Sequence, residues 1–194
     1  MSLSTYADLQ ASVANYLHRS DLGAVIPDFI GLAEERMNRT LRVRQMETAL
    51  AETAIASGTI AMPAGTVGIK ALWAVGSPNR PLLVAPFDVI KGAVGAGEAH
   101  YFAWQGDSLH FDGTGTVSGV LYAQIPSLAS NSSNWLLSAC PSAYLHGALR
   151  EASVYLRDEA GIAFHDIKFQ EALNEIGAAD MRDRYAGPLV VRAR

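Results

Sequence analysis

The sequence predicts an α+β protein: helix pairs at its two ends meet as one bundle, and a small antiparallel β unit is inserted between them. Three observations predict this. Apolar residues recur at helical spacing in the first 40 or so positions, alternate with a period of two in the middle, and return to helical spacing near the end. The order helix–helix, strands, helix–helix sets boundaries at residues 1–44, 45–126, 127–187 and a tail at 188–194. The chain has 194 residues, 49% of them hydrophobic, so it can fill a sizeable core without cross-links.

The first helix is expected to start at Ser4 or Thr5. Thr5 followed by Asp8 gives a capping-type start with an acidic group in the positive first turn. Tyr6, Leu9, Val13 and Tyr16 form its apolar stripe, and His18 to Asp21 break it. The second helix is expected from Pro27, a residue suited to a first turn. Ile26, Ile30, Ala33, Met37 and Leu41 form its stripe; Glu34, Glu35, Arg36 and Arg39 are read as lying off it.

From about Gln45 the period becomes two. The clearest strand puts Val67, Ile69, Ala71, Trp73 and Val75 on one face. Ser77 to Pro81 reads as a turn, Leu82 to Val84 as a strand, and Pro86 to Lys91 as a turn or two of helix. Tyr101–Trp104 and Leu109–Phe111 read as a hairpin across Gln105 to Ser108. Val117 to Ile125 is the last strand of an antiparallel unit of about five to seven strands. Helix returns near Pro141, with Leu145, Leu149, Ala152 and Leu156 on its stripe. A last helix follows Asp158 to Gly161 and runs to about Tyr185 through Phe169, Ala172, Leu173, Ile176 and Ala179. Gly187 and Pro188 mark its stop.

Composition narrows the function classes. A formal net charge of −4 argues against holding nucleic acid by phosphate neutralisation. The one cysteine, Cys140, cannot form an internal disulfide. The opening stretch lacks the apolar run of a signal peptide, and no run approaches the roughly 20 residues that span a bilayer, so synthesis in the cytosol and no membrane association are expected. Of the 15 basic residues only Lys70, Lys91 and Lys168 are lysine. Arginine suits interfaces, where its planar fork binds carboxylates; biased codon usage explains the same excess.

No reaction centre emerges, and the expectation is a protein that is not an enzyme and carries no cofactor or metal. The five histidines (His18, His100, His110, His146, His165) show no metal-ligand spacing. His100 and His110 could face each other near the hairpin, without a third ligand. No nucleophile elbow surrounds any serine. Gly92 to Gly97 and Asp112 to Gly115 lack the Gly-Lys-Ser/Thr ending of a phosphate loop and read as turns. Arg36, Arg39, Arg42 and Arg44 cluster where helix gives way to strand. They could touch nucleic acid, meet acidic groups of a neighbouring subunit, or stay solvated with intrahelical pairs such as Glu35–Arg39. Trp73, Trp104 and Tyr122 could serve a ligand-binding β module, or be core aromatics.

Two longer stretches are more specific. The first runs from Thr5-Tyr6-Ala7-Asp8-Leu9 through Tyr16 to Leu22 and Ile26 to Glu34, ending at Leu41 to Glu47. The second holds Asn134-Trp135-Leu136-Leu137, Pro141, Tyr144-Leu145, Gly147-Ala148-Leu149 and Glu151-Ala152. Together they resemble the head–tail adaptor (connector) family of tailed bacteriophages. Ser142 and His146 depart from the family pattern, which has an acidic and an aromatic residue near them. The resemblance implies a structural virion protein without catalytic residues. Such adaptors form a closed ring, usually dodecameric, under the portal protein. They extend the channel through which DNA passes without specific binding, and they dock tail or nozzle proteins. Another neck or tail part, of stopper or tail-tube type, is the alternative. Arg36, Arg39, Arg42, Arg44 and Trp135 are the candidate subunit or portal contacts. The basic, β-prone tail adds Leu189, Val190, Val191, Arg192 and Arg194, which could add a strand to an exposed edge of the portal.

Overall fold

The computed structural model describes residues 3–19, 21–93, 95 and 97–186. Two compact units emerge: residues 1–45 with 125–194, and residues 46–124. The first is helical and the second is built of strands, so the chain is α+β.

The helical unit contains α1 (Tyr6–Leu17), α2 (Ile26–Thr40), α4 (Trp135–Ala139), α5 (Pro141–Leu156) and α6 (Glu159–Arg184). At the start of α1, Thr5 accepts from the Asp8 amide and the Asp8 carboxylate accepts from the Thr5 amide, closing a capping box. Pro27 sits in the first turn of α2 as expected. The α2 stripe Ile26, Ile30, Ala33, Met37 and Leu41 is buried throughout. Asn134 caps α4 by accepting from the Leu137 amide, and Asp158 caps α6 by accepting from Gly161. Arg157, in the left-handed region, and Asp158 make the whole turn between α5 and α6.

The centre of this unit is α5, which packs against α1, α2, α4 and α6. Its Tyr144, Ala148, Leu149 and Ala152 are buried, as are Leu9 and Val13 of α1, Ile30 and Met37 of α2, and Phe169 and Leu173 of α6. Gly147 permits the closest approach. A Cβ there would lie 2.9 Å from the Ala33 Cβ and 3.0 Å from the Phe169 ring, so only glycine lets α2 and α6 close on α5 at this height. No helix among the described residues is long and apolar enough to cross a membrane.

The strand unit contains β1 (Glu47–Ala54), β2 (Thr59–Ala61), β3 (Thr66–Ala74), β4 (Arg80–Pro81), β5 (Leu83–Val84), α3 (Phe87–Ala93), β6 (Tyr101–Gln105), β7 (Ser108–Phe111) and β8 (Thr116–Ala123). They form two four-stranded sheets, ordered β1-β8-β3-β4 and β2-β7-β6-β5. Leu50, Leu72, Val117 and Leu121 of one sheet and Ile60, Phe102, Leu109 and Phe111 of the other share one apolar cluster. The chain changes sheet at buried Leu82: its amide bonds Leu72 O, and the next amide bonds His100 O.

Three expectations need correction here. The described strands number eight, because β2, β4 and β5 are too short to show a period. The unit is not wholly antiparallel, since β5 and β6 pair in parallel. The helical segment α3 lies between them and returns the chain to the starting end, as a parallel connection requires. Finally, Val67, Ile69, Ala71, Trp73 and Val75 do not share the inner face. The β3–β8 register slips between Thr66 and Gly68 and again between Ile69 and Ala71. Each extra residue inverts the alternation. Ile69, Leu72 and Ala74 therefore join the core, opposite Leu121, Gly119 and Val117, and Ala71 and Trp73 turn outward. Gly119 makes room, since a Cβ there would lie 2.6 Å from Ala71 O.

Candidate interaction surfaces

The four α2-side arginines separate into three environments. Arg36 reaches α5: its Nε donates to Glu151 Oε1 at 2.7 Å. Glu151 also accepts from Arg150 at 2.7 Å, and Arg150 in turn donates to Asp166 of α6 at 2.6 Å. Glu151 is buried, so the two guanidinium groups offset its loss of water. The chain Arg36–Glu151–Arg150–Asp166 thus fixes α2, α5 and α6 against one another.

Arg44, just past the C-terminal end of α2, plays a corresponding role. Its amide and its Nε both donate to Asp180 Oδ1 at 3.0 Å, and a second nitrogen pairs with Asp183. Arg184 donates to the other Asp180 oxygen. Burial alone would raise the Asp180 pKa, but the hydrogen bonds from Arg184 and Arg44 outweigh it and hold the carboxyl below its usual value. The same contact with Asp180 raises the Arg44 pKa.

Arg42 folds back on the end of α2, donating to Asn38 O at 2.8 Å and to Leu41 O, where a cation complements the negative helix end. Arg39 is exposed, with 72% of its side chain in solvent and a loose 3.8 Å pair to Glu35. The cluster seen in sequence is therefore not one basic patch: Arg36 and Arg44 brace the helices, and Arg39 faces solvent.

Half-buried Trp135, at the start of α4, lines a shallow cleft with Arg44, Ile176, Asp180 and Asp183. Two of the candidate residues, Arg44 and Trp135, are thus brought together. Leu189, Val190, Val191, Arg192 and Arg194 lie outside the described residues.

The reading of Glu34 as lying off the α2 stripe needs correction. Glu34 is buried in α2. It accepts from Ser127 Oγ at 2.7 Å, the Leu128 amide at 2.8 Å and the Tyr144 hydroxyl at 3.2 Å. Tyr144 in turn accepts from Asn134 at 2.6 Å. Burial, with the Glu34 carboxylate beside it, pushes the Tyr144 pKa up. A signal was available: Glu34 follows Ile30 by four and precedes Met37 by three, which places it within the stripe.

The histidines pair differently from the expectation. His100 bonds Glu98 O, and His110 packs edge-on to Phe87, so these two do not form a pair. Instead His146 of α5 and His165 of α6 meet, Nδ1 to Nδ1, at 3.1 Å. Burial lowers both pKa values, and each ring's neighbours adjust it further. Among the described residues no group of three or more His, Cys, Asp or Glu is placed to hold a metal ion. Trp73 and Tyr122 lie on one sheet and Trp104 on the other, where its Nε1 bonds Gly106 O.

The fold and these surfaces define a class: an α+β protein whose buried polar side chains brace its helices. A family model described as the SU10 adaptor protein matches residues 4–192, and the chain belongs to that family of phage structural adaptors. No curated protein matches it.

Proposed function

We propose that this chain is the head–tail adaptor of a tailed phage, located in the virion and assembled as a closed, dodecameric ring under the portal protein. The four long helices act as a bundle that carries the ring contacts. The ring extends the DNA channel and presents a platform for tail or nozzle proteins. The observation that carries this reading is the family match, which spans residues 4–192 and so takes in both units. A net charge of −4 is in keeping with a passage that must release DNA, since every neutralised phosphate adds binding. Arg36, Arg39, Arg42, Arg44, Trp135 and the tail residues Leu189, Val190, Val191, Arg192 and Arg194 are the proposed subunit and portal contacts.

The test is the mass of the purified protein, alone and mixed with portal, measured by light scattering. The full chain is expected to form a ring with portal. A chain lacking residues 188–194 should keep its fold, by circular dichroism, and lose portal binding. A full chain that stays monomeric in both conditions contradicts the proposal.

A further inference from the structure

The last helix has two apolar faces. One, with Phe169, Ala172 and Leu173, is buried in the helical unit. The other points to solvent at the alternating three- and four-residue spacing of a helix–helix seam: Phe164, Ile167, Ala178 and Met181 are its apolar positions, and Glu171 and Asn174 are polar ones between them. Phe164, Ile167 and Met181 are 54%, 59% and 55% exposed. A surface helix that serves one core needs one apolar face, so the second calls for a partner.

The charges identify that partner. The solvent face of α2 reads Leu32, Glu35, Arg39 along the chain, and that of α6 reads Phe164, Lys168, Glu171. Among the described residues these charges form local ion pairs, Arg39–Glu35 at 3.8 Å and Lys168–Glu171 at 2.8 Å, both well exposed. Such pairs are weak and exchange readily. Laid side by side in parallel, the two faces match: leucine meets phenylalanine, Glu35 meets Lys168, and Arg39 meets Glu171.

The internal geometry supplies the parallel alignment. Both α2 and α6 run antiparallel to α5. Phe29 stacks near Tyr155 while Glu34 bonds Tyr144, and Arg150 bonds Asp166 while Gly147 lies by Phe169. Hence α2 and α6 run the same way, and Ala33 of α2 and Phe169 of α6, which both flank Gly147, stand at one height. Arg39 and Glu171, or Glu35 and Lys168, have nearly the same separation in sequence as that pair. A neighbour whose α2 pairs with this α6 is therefore offset by only about one helical turn, ~5 Å, along the helix axes. A contact between two different faces is the kind that builds a ring where its rotation closes.

We infer that in the assembled protein the outward face of α6, from Phe164 to Glu171, docks in parallel on the outward face of α2, from Leu32 to Arg39, of the next copy. This rests on the ring reading above and adds the surfaces that make it. It also gives Arg39 a specific place in the contact between copies.

The experiment places one cysteine on each face. Arg39→Cys/Glu171→Cys, assembled with portal and oxidised, should give a ladder of disulfide-linked multimers on a non-reducing gel. Each single variant, which keeps Cys140 as its own control, should give only the monomer band. Glu171→Arg should lower ring yield about tenfold, and Arg39→Glu added to it should restore the yield. A wild-type ring whose double-cysteine variant gives no ladder overturns the inference and leaves the ring reading standing. So does a single variant that cross-links as well as the double, or a Glu171 cysteine that couples to portal. A wild-type protein that forms no ring overturns both.

Discussion

The helical unit and the strand unit solve their packing by different means. The helical unit buries Glu34, Glu151 and Asp180 and satisfies each with hydrogen bonds between segments far apart in sequence. The strand unit relies on a cluster of apolar side chains, and its ion pairs, Lys70–Glu47 and Arg80–Glu98, lie at the surface. Apolar packing tolerates substitution of similar volume, whereas a buried carboxylate accepts only the donors aimed at it. The helical unit is thus the part whose helix positions are fixed by specific residues, which suits the part proposed to carry the contacts between copies.

The largest effect should break the strand unit. Phe111 is fully buried, and Phe111→Ala should cost about 4 kcal/mol. Hydrogen exchange should show protection lost in β6, β7 and β8 before the helices. Equal loss in both units would mean that they do not act separately. Glu34→Ala should cost about 3 kcal/mol in the helical unit, because it leaves the Leu128 amide and the Tyr144 hydroxyl without their acceptor. Tyr144→Phe, which removes one donor and keeps the ring, should cost about 1 kcal/mol.

Acidity should separate the units further. The His146 and His165 pKa values are lowered from 6.5 in the folded protein, so the unfolded chain binds protons first as pH falls. Stability of the helical unit should therefore decline once pH drops through about 6.5, until the folded-state values are passed. The groups facing this pair are Lys168, Glu171 and Asp158, of which the carboxylates oppose the shift and Lys168 reinforces it for His146. His146→Gln/His165→Gln should flatten the dependence of the helix melting temperature on pH between about 7 and 5. An unchanged slope would remove the pair from the account. Asp180 acts lower: its pKa is held below 3.8, so its contribution is present above that value and is lost as pH falls through the folded-state value. The smallest effect belongs to the strand surface, where Lys70→Ala should cost less than about 1 kcal/mol.

What was legible in sequence follows from how local each determinant is. The Thr5–Asp8 cap, the α2 stripe and the Gly106–Asp107 hairpin turn depend on neighbours in the chain, and they could be read directly, whereas the last helix starts at Glu159, inside the Asp158–Gly161 stretch read as a break. The inner face of β3 could not, because two register slips against β8 reverse the alternation and Gly119 is distant in sequence. The parallel β5–β6 pair was hidden by strands of only two and five residues. The arginine cluster was visible, but its division was not: Arg36 and Arg44 find Glu151 and Asp180, more than 100 residues away. His146 and His165 escaped notice for a similar reason, since the α5–α6 turn brings together residues 19 apart.

The central claim, an adaptor seated on the portal, is tested most directly by chemical cross-linking in intact particles with the linked peptides identified by mass spectrometry. The account predicts links from this chain to the portal protein and from α6 of one copy to α2 of another. Links confined to tail-tube subunits, with none to portal, would contradict it.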